Sequence, residues 1–263
     1  MDSGQLTGKR IVVTRRLEQA GALCDQLIAL GAIPILFPTI QLEPLPTPEL
    51  DAILPKLDRF DWLLFTSANA VTFFFEHTRA VGIAPQLPSI GVSGKATANR
   101  LQQYHHEPDF MPSEFVGEAL VQGLADFAVR MCNDGLKGQQ VLLPRAKAGR
   151  PIIVEMLHQQ GAIVHEFALY DTVPAHPTPS ALAALRQGFD VITFASPSSI
   201  HGFLAIMAEH QLERTFLERA TIACIGPVTA KALQAEGLTA HVMPSVYTIH
   251  GLVEALVQWC ARN

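Results

Sequence analysis

No apolar run in this chain approaches the roughly 18 to 20 residues that a membrane span requires. The longest, "IVV", "AIPILF" and "WLLF", are far shorter, and the N-terminal "MDSGQLTGKR" has no apolar signal core. The expectation is a cytoplasmic protein with no membrane contact. Charge is also sparse: 16% of residues are charged against 49% hydrophobic, which excludes a disordered chain and a charged scaffold. The formal net charge of −5 leaves no overall field to draw in nucleic acid, so an anionic ligand has to be caught by local geometry. Cys24, Cys132, Cys224 and Cys260 show no CxxC spacing and no histidine at zinc-finger distance. They read as reduced, mostly buried thiols, and no metal is implied.

Familiar catalytic signatures are missing too. "GVSGKAT" lacks the four-residue gap between the glycines of a P-loop, and no GxGxxG opens either half. Ser67 and Ser196 sit in "TSA" and "ASP", not in a GxSxG elbow, and no histidine and aspartate stand at neighbouring strand ends. The ten histidines are scattered, and His105-His106-Glu107 reads as a wet surface turn.

What is present is an alternation. Short buried strands are expected at "RIVV", "IPILF", "WLLF", "PSIGV", "DFM", "QVLL", "IVHEF", "VITF", "TIACI" and "AHVM", with helical patterns between them. After "RIVV", for example, Leu17, Ala20, Leu23, Cys24, Leu27 and Leu30 recur at helical spacing until Gly31. Such alternation means parallel sheets covered by helices on both faces.

A repeat runs through the pattern. Gly8, Arg15, Gly31, Ala32, Ile33 and Phe37 match Gly138, Arg145, Gly161, Ala162, Ile163 and Phe167 at one constant offset. Asp61, Phe65 and Ser67 pair with Asp190, Phe194 and Ser196, and Gly94, Thr97, Ala98, Leu101 and Pro112 with Gly226, Thr229, Ala230, Leu233 and Pro244. The fold class read from this is α/β: two open parallel-sheet, three-layer domains related by internal duplication. The proline-rich stretches Phe37–Pro48 and Tyr170–Ser180 lie at the same place in the two repeats. They suggest interleaved domains, 1–37 plus 175–263 and 42–172, joined by linkers at 38–48 and 170–180 with a cleft between.

Ligands of parallel α/β sheets gather at the carboxyl edge of the strands. The turns there are Thr14–Arg16, Thr66–Asn69, Ser93–Thr97, Pro112–Phe115, Pro144–Arg150, Ser196–Ser199, Gly226–Thr229 and Pro244–Thr248. Hydroxyls, small residues and arginines dominate, while carboxylates and histidines are nearly absent. Helix starts of this kind hold anions through backbone N–H groups and the helix dipole, although each hydroxyl is equally explained as an ordinary cap. Arg15, Arg145 and Arg150 stand where bidentate carboxylate contacts are open to them, and equally where they are plain solvated charges. Lys147 lies beside them.

In order and spacing, "RIVVTR", "FTSANAV", "FVGEALV", "VLLPRA", "YDTVP", "ITFASPSS", "IGPVTAKAL" and "YTIHGLVEAL" resemble the uroporphyrinogen-III synthase family over nearly the whole chain. The resemblance implies a cofactor-free cytoplasmic lyase of tetrapyrrole biosynthesis, a monomer with a two-stranded linker and its substrate in the cleft. That substrate is a linear tetrapyrrole, hydroxymethylbilane, cyclised with loss of water and inversion of ring D. It implies Tyr170 as the group assisting departure of the hydroxyl, and Thr229, with Pro227, as a substrate contact. Thr14, Arg15, Ser67, Asn69, Ser93, Lys95, Thr97, Ser113, Arg145, Arg150, Ser196 and Ser198 are the further candidate contacts. Lys147 departs from the acidic residue common in the family at that turn. An unstable intermediate makes a transient contact with the upstream deaminase attractive. A non-catalytic two-domain receptor for a small polycarboxylate fits the same residues.

Overall fold

The computed structural model describes residues 5–114, 117–131 and 134–262. Cys132, Phe115 of the Pro112–Phe115 turn and the first four residues lie outside these. Along the chain run β1 (Arg10–Val13), α1 (Leu17–Ala29), β2 (Ile33–Leu36), β3 (Ile40–Pro44), α2 (Pro48–Ile53), β4 (Trp62–Phe65), α3 (Ala68–Ala80), β5 (Ser89–Val92), α4 (Lys95–Gln102) and α5 (Gly117–Met131). There follow β6 (Gln140–Ala146), α6 (Ile152–Gln159), β7 (Ile163–Pro174), α7 (Pro179–Arg186), β8 (Val191–Phe194), α8 (Pro197–Glu209), α9 (Thr215–Arg219), β9 (Thr221–Cys224), α10 (Pro227–Ala235) and α11 (Ile249–Cys260). The chain divides into two compact units, residues 1–41 with 173–263 and residues 42–172.

The first unit holds a sheet of order β2-β1-β8-β9 with every pairing parallel. Alternation along β1 sorts the side chains between its faces. Val12 joins Ile35, Ile192, Phe194 and Phe203 on the α8 side, while Ile11 and Val13 join Leu23, Leu27 and Leu252 under α1 and α11. Both faces are therefore covered, and each fully buried aliphatic or aromatic side chain contributes roughly 1.5–3 kcal/mol. In the second unit the order is β3-β7-β6-β4-β5. There Leu63 and Phe65 pack towards α3 with Phe74, and Trp62 and Leu64 pack towards α5 and α6 with Leu124 and Leu157.

Local chemistry fixes the ends of these elements in matching ways. Gly31 and Gly161 take φ of 83° and 80°, the left-handed conformation that stops α1 and α6. In each case the next N–H reaches back to close the last turn, Ala32 to the Leu27 carbonyl and Ala162 to the Leu157 carbonyl, at 3.0 and 3.1 Å. At the opposite edge, the Asp190 carboxylate accepts from the Arg10 N–H at 2.8 Å and the Asp61 carboxylate accepts from the Gln140 N–H at 2.7 Å. The side chain just before one strand thus satisfies the first donor of its neighbour.

Two expected strands contract. Around Asp109–Met111 and Ala240–Met243 only single parallel bridges form, Gly91 with Phe110 and Ala223 with Val242. On one side a side chain replaces the backbone acceptor, since Asp109 Oδ2 takes the Ile90 N–H and His241 Nδ1 takes the Ile222 N–H. On the other, Pro112 and Pro244 have no N–H to extend a ladder.

The chain passes between the units inside β3 and β7, so the proline-rich segments are in part paired strands. Leu45 N–H donates to the Leu169 carbonyl and Ala175 N–H to the Thr39 carbonyl. Residue numbers rise on one strand as they fall on the other, which makes this pairing antiparallel. Helix α8 seats on the start of β3 through Gly202, where a Cβ would fall onto the Thr39 carbonyl oxygen. Gly202→Ala is expected to cost about 1–3 kcal/mol by overpacking, read as a lower urea midpoint at unchanged slope. Gly21→Ala, in α1 with open space around it, should raise the midpoint by the equivalent of about 0.5–1 kcal/mol.

Candidate functional site

In the first unit the turns after β1, β8 and β9 stand in a row along the carboxyl edge of the sheet, because the strands are parallel and adjacent. Between the first two lies a small cavity of about 110 Å³ lined by Thr14, Arg15, Arg16, Gln19, Ile40, Ala195, Ser196 and Ser199. The start of α8 is built by reciprocal capping: Ser196 Oγ accepts from the Ser199 N–H at 3.2 Å, and Ser199 Oγ lies 3.3 Å from the Ser196 N–H. Pro197 brings no N–H. Among the described residues this leaves the N–H and hydroxyl of exposed Ser198 without a protein partner.

Arg15 lies over this cavity. Its guanidinium donates to the Gln19 carbonyl at 3.1 Å, and among the described residues no carboxylate lies within ion-pair distance of it. Burial, followed by the neighbouring Arg16, pushes its pKa below the ordinary arginine value. The group stays charged, and an anion would relieve both penalties. Thr14 is different. It is fully buried and its hydroxyl donates to the Thr193 carbonyl at 2.7 Å, so it braces β1 against β8 and offers nothing outward.

The buried hydroxyls give a sharper sorting. Thr14, Thr39, Thr47, Thr78, Thr193 and Ser199 each find an internal partner. Among the described residues Thr97 and Thr229, 4% and 3% exposed, have none. Among the described residues neither hydroxyl oxygen is both sealed from solvent and without a hydrogen bond, whereas Arg145 Nη1 is. Each therefore opens at the surface of its turn. Both belong to the first turn of a helix, α4 or α10, entered through a glycine, Gly94 or Gly226. Pro227 removes one N–H from α10, and the described residues offer no acceptor for those of Val228 and Thr229. Such a turn presents two amides, one hydroxyl and the positive end of a helix to the same point.

In the second unit, Ser67 caps α3 by accepting from the Ala70 N–H at 3.1 Å, and its oxygen lies 3.1 Å from the Tyr170 phenol oxygen. Tyr170 is 4% exposed and its ring stacks on Phe73, centroids 4.6 Å apart. Ser67 is half-buried and so reaches further out than the phenol. Ser93 spends its hydroxyl on the Thr66 carbonyl at 3.0 Å. Asn69 is half-buried and already engaged, Lys95 is exposed and already engaged, and Ser113 and Pro227 are exposed.

The second-unit arginines part company with Arg15. The sequence places Arg145 just after a strand, but β6 continues to Ala146 because β7 runs long enough to pair with it. Arg145 thus lies on the sheet face, buried beneath Gly149, with Nη1 3.1 Å from Glu166 Oε2. Arg150 makes a two-point contact with Glu118 at 2.8 and 3.0 Å, and hydrogen bonding from Arg150 holds that carboxyl below the usual range. Lys147 is 3.0 Å from Asp171, whose pKa it lowers in the same way. The cations of this turn are already neutralised. A larger groove of about 490 Å³ runs beside β7 past Leu45, Thr47, Glu49, Lys147, Glu166 and Phe167. Its two glutamates and paired lysine make it a poor anion site. Glu166 and Glu118 escape a reading of strand ends because each acts from another element.

Among the described residues no cluster of three or more His, Cys, Asp or Glu side chains is placed to hold a metal. No helix there is long and apolar enough to cross a membrane. Two helix-covered sheets, one all parallel and one parallel except for its β3–β7 pair, define an α/β protein.

The uroporphyrinogen-III synthase HemD family model matches residues 21–254. The uroporphyrinogen-III synthase of Synechococcus elongatus is 34% identical, over 98% of this chain and 98% of its own. That of Chlorobaculum parvum is 26% identical over 95% of this chain and 98% of its own. In fold, the chain is similar to the crystal structure of uroporphyrinogen-III synthetase from Helicobacter pylori, at a TM-score of 0.64 and 20% identity over 96% of this chain and all of that one. The chain belongs to the uroporphyrinogen-III synthase family, lyases of porphyrin biosynthesis.

Thr229→Val and Thr97→Val remove no internal hydrogen bond, so thermal or urea unfolding should move by less than about 0.5 kcal/mol. Thr39→Val strips a donor from the Ser199 carbonyl, 2.9 Å away, and should cost about 1–3 kcal/mol. Equal losses at all three positions would contradict the sorting.

Proposed function

We propose that the protein cyclises hydroxymethylbilane to uroporphyrinogen III, with loss of water and inversion of ring D. The observation that carries the reading is the pair of nearly buried hydroxyls, Thr97 and Thr229, that have no partner among the described residues, the second of them beside two uncommitted amides at the start of α10. A carboxylate supplies an acceptor for either hydroxyl, and at α10 for the Val228 and Thr229 amides as well. Arg15, charged, beside the start of α8 and among the described residues without an acidic partner, adds a second carboxylate position in the first unit. Ser198 completes it.

The chemistry asks little of side-chain acids and bases. The electron-rich pyrrole expels the hydroxyl of its hydroxymethyl carbon, and the resulting cation is attacked by the terminal ring at its substituted carbon, forming a spiro intermediate. Reopening and reclosure invert that ring. Binding the carboxylates selects this geometry over direct closure, which is a problem of orientation and of dipoles fixed where charge develops. A row of helix starts meets both needs.

Departure of the hydroxyl is where a proton helps. Tyr170 lies too deep to meet a ligand with most of its surface, but its phenol touches Ser67. With the Ala70 N–H and the phenol O–H both donated to Ser67 Oγ, the serine retains its own O–H to donate outward. Tyr170 then polarises Ser67, and Ser67 delivers the hydrogen bond to the leaving oxygen.

In a coupled assay with the upstream deaminase, the purified protein should turn the product from type I to type III uroporphyrinogen. An unchanged isomer ratio rejects the reaction. Tyr170→Phe and Ser67→Ala are each expected to slow turnover on the order of a hundredfold, with the double variant little worse than either. Full activity in Tyr170→Phe would retire the phenol.

A further inference from the structure

Four large apolar side chains stand exposed on two short segments of the first unit, apart from Leu17, Ile28, Ile33 and Leu36 elsewhere on it. Val228 is 71% exposed, Val246 62%, Tyr247 57% and Met243 47%. Val228 belongs to the first turn of α10, where the Thr229 hydroxyl and two amides have no partner among the described residues, and the other three lie on the segment 243–247 that brings Tyr247 to the entry of that turn. The Tyr247 ring lies against the backbone of Gly226, its Cγ 3.3 Å from where a Cβ would stand.

This corner is held rigid rather than left loose. The Thr248 N–H donates to the Val246 carbonyl at 2.8 Å, and Thr248 Oγ1 caps α11 by accepting from the Gly251 N–H at 3.0 Å. A side chain at Gly251 would fall on the Val246 carbonyl oxygen, so the glycine lets the corner close. Three features meet here: an exposed aromatic face fixed in place, aliphatic groups beside it, and uncommitted donors within the same turn. Exposed apolar surface of this kind marks a contact site, and the donors specify a ligand with an anionic arm. Flat ring and carboxylate together describe a substituted pyrrole.

We infer that Tyr247, with Val228 and Val246, is the wall on which one pyrrole ring of the substrate rests while the ring's carboxylate is taken by the first turn of α10. The inference rests on the reaction assigned above and adds to it a positioning residue. Tyr247 touches no leaving group. It fixes the plane of a ring by aromatic and aliphatic contact, so its loss weakens binding more than it slows chemistry.

Tyr247→Ala and Tyr247→Phe decide the matter, with anaerobic titration of uroporphyrinogen III for Kd and steady-state kinetics for KM and kcat. Tyr247→Ala should raise Kd and KM together by about threefold to tenfold, leave kcat within about twofold, and be rescued by Tyr247→Phe, which keeps the ring. Type III product from the native protein with an unchanged Kd in Tyr247→Ala overturns the wall alone. An effect confined to transfer from the deaminase also overturns it, and makes the corner a protein-docking surface. Failure of the native protein to form type III product overturns the reaction and the wall together.

Discussion

A strand that passes directly into a helix leaves the first amides of that helix without partners, and a parallel sheet gathers several such starts along one edge. The function proposed for this protein grows from that constraint. Where a serine side chain folds back, as Ser196 does onto the Ser199 N–H, part of the demand is met internally. Where the helix is entered through glycine, as at Gly94 and Gly226, no side chain caps the first turn. Thr97 and Thr229 then bring hydroxyls that also look outward. The site is thus a set of unmet hydrogen bonds more than a set of reactive groups.

Fixed cations play a smaller part than the number of arginines suggests. Arg145 is sealed on the sheet face against Glu166 and Arg150 is held by Glu118, so neither adds net positive charge to a ligand. Arg15 stands apart because β1 ends three residues earlier relative to its turn than β6 does, which leaves the guanidinium at the cavity instead of on the sheet. The matching "TR" and "PRA" positions thus differ: Arg15 has no acidic partner among the described residues, while Arg145 faces Glu166. Helix dipoles do not depend on that difference.

Much of the fold was legible from residue patterns. The alternation of short apolar runs with helical spacing yields the parallel sheet of the first unit and the parallel β7-β6-β4-β5 part of the second, to which β3 adds antiparallel, and Gly31 and Gly161 end helices as their positions suggest. Asp61 and Asp190, paired in the sequence, make the same strand-start bond. Other features were out of reach because they depend on partners distant in the chain. The extension of β6 through Pro144 follows from the length of β7, not from any local signal. Asp109 and His241 replace backbone acceptors and shorten two expected strands to bridges. In the candidate site, Thr229 and Ser67 were visible as turn hydroxyls. That Thr14 and Ser93 spend theirs internally, and that Tyr247 stands exposed on Gly226, are facts of packing.

The central claim is that carboxylates bind at the uncommitted amides of these helix starts. Backbone amide resonances of a ¹⁵N-labelled sample, followed during anaerobic titration with uroporphyrinogen III, test it most directly. The account predicts that Ser198, Val228 and Thr229 shift in saturable fashion with one Kd, while Glu49 and Glu166 beside the β7 groove stay still. Saturable shifts at the β7 groove with silence at the helix starts would contradict it.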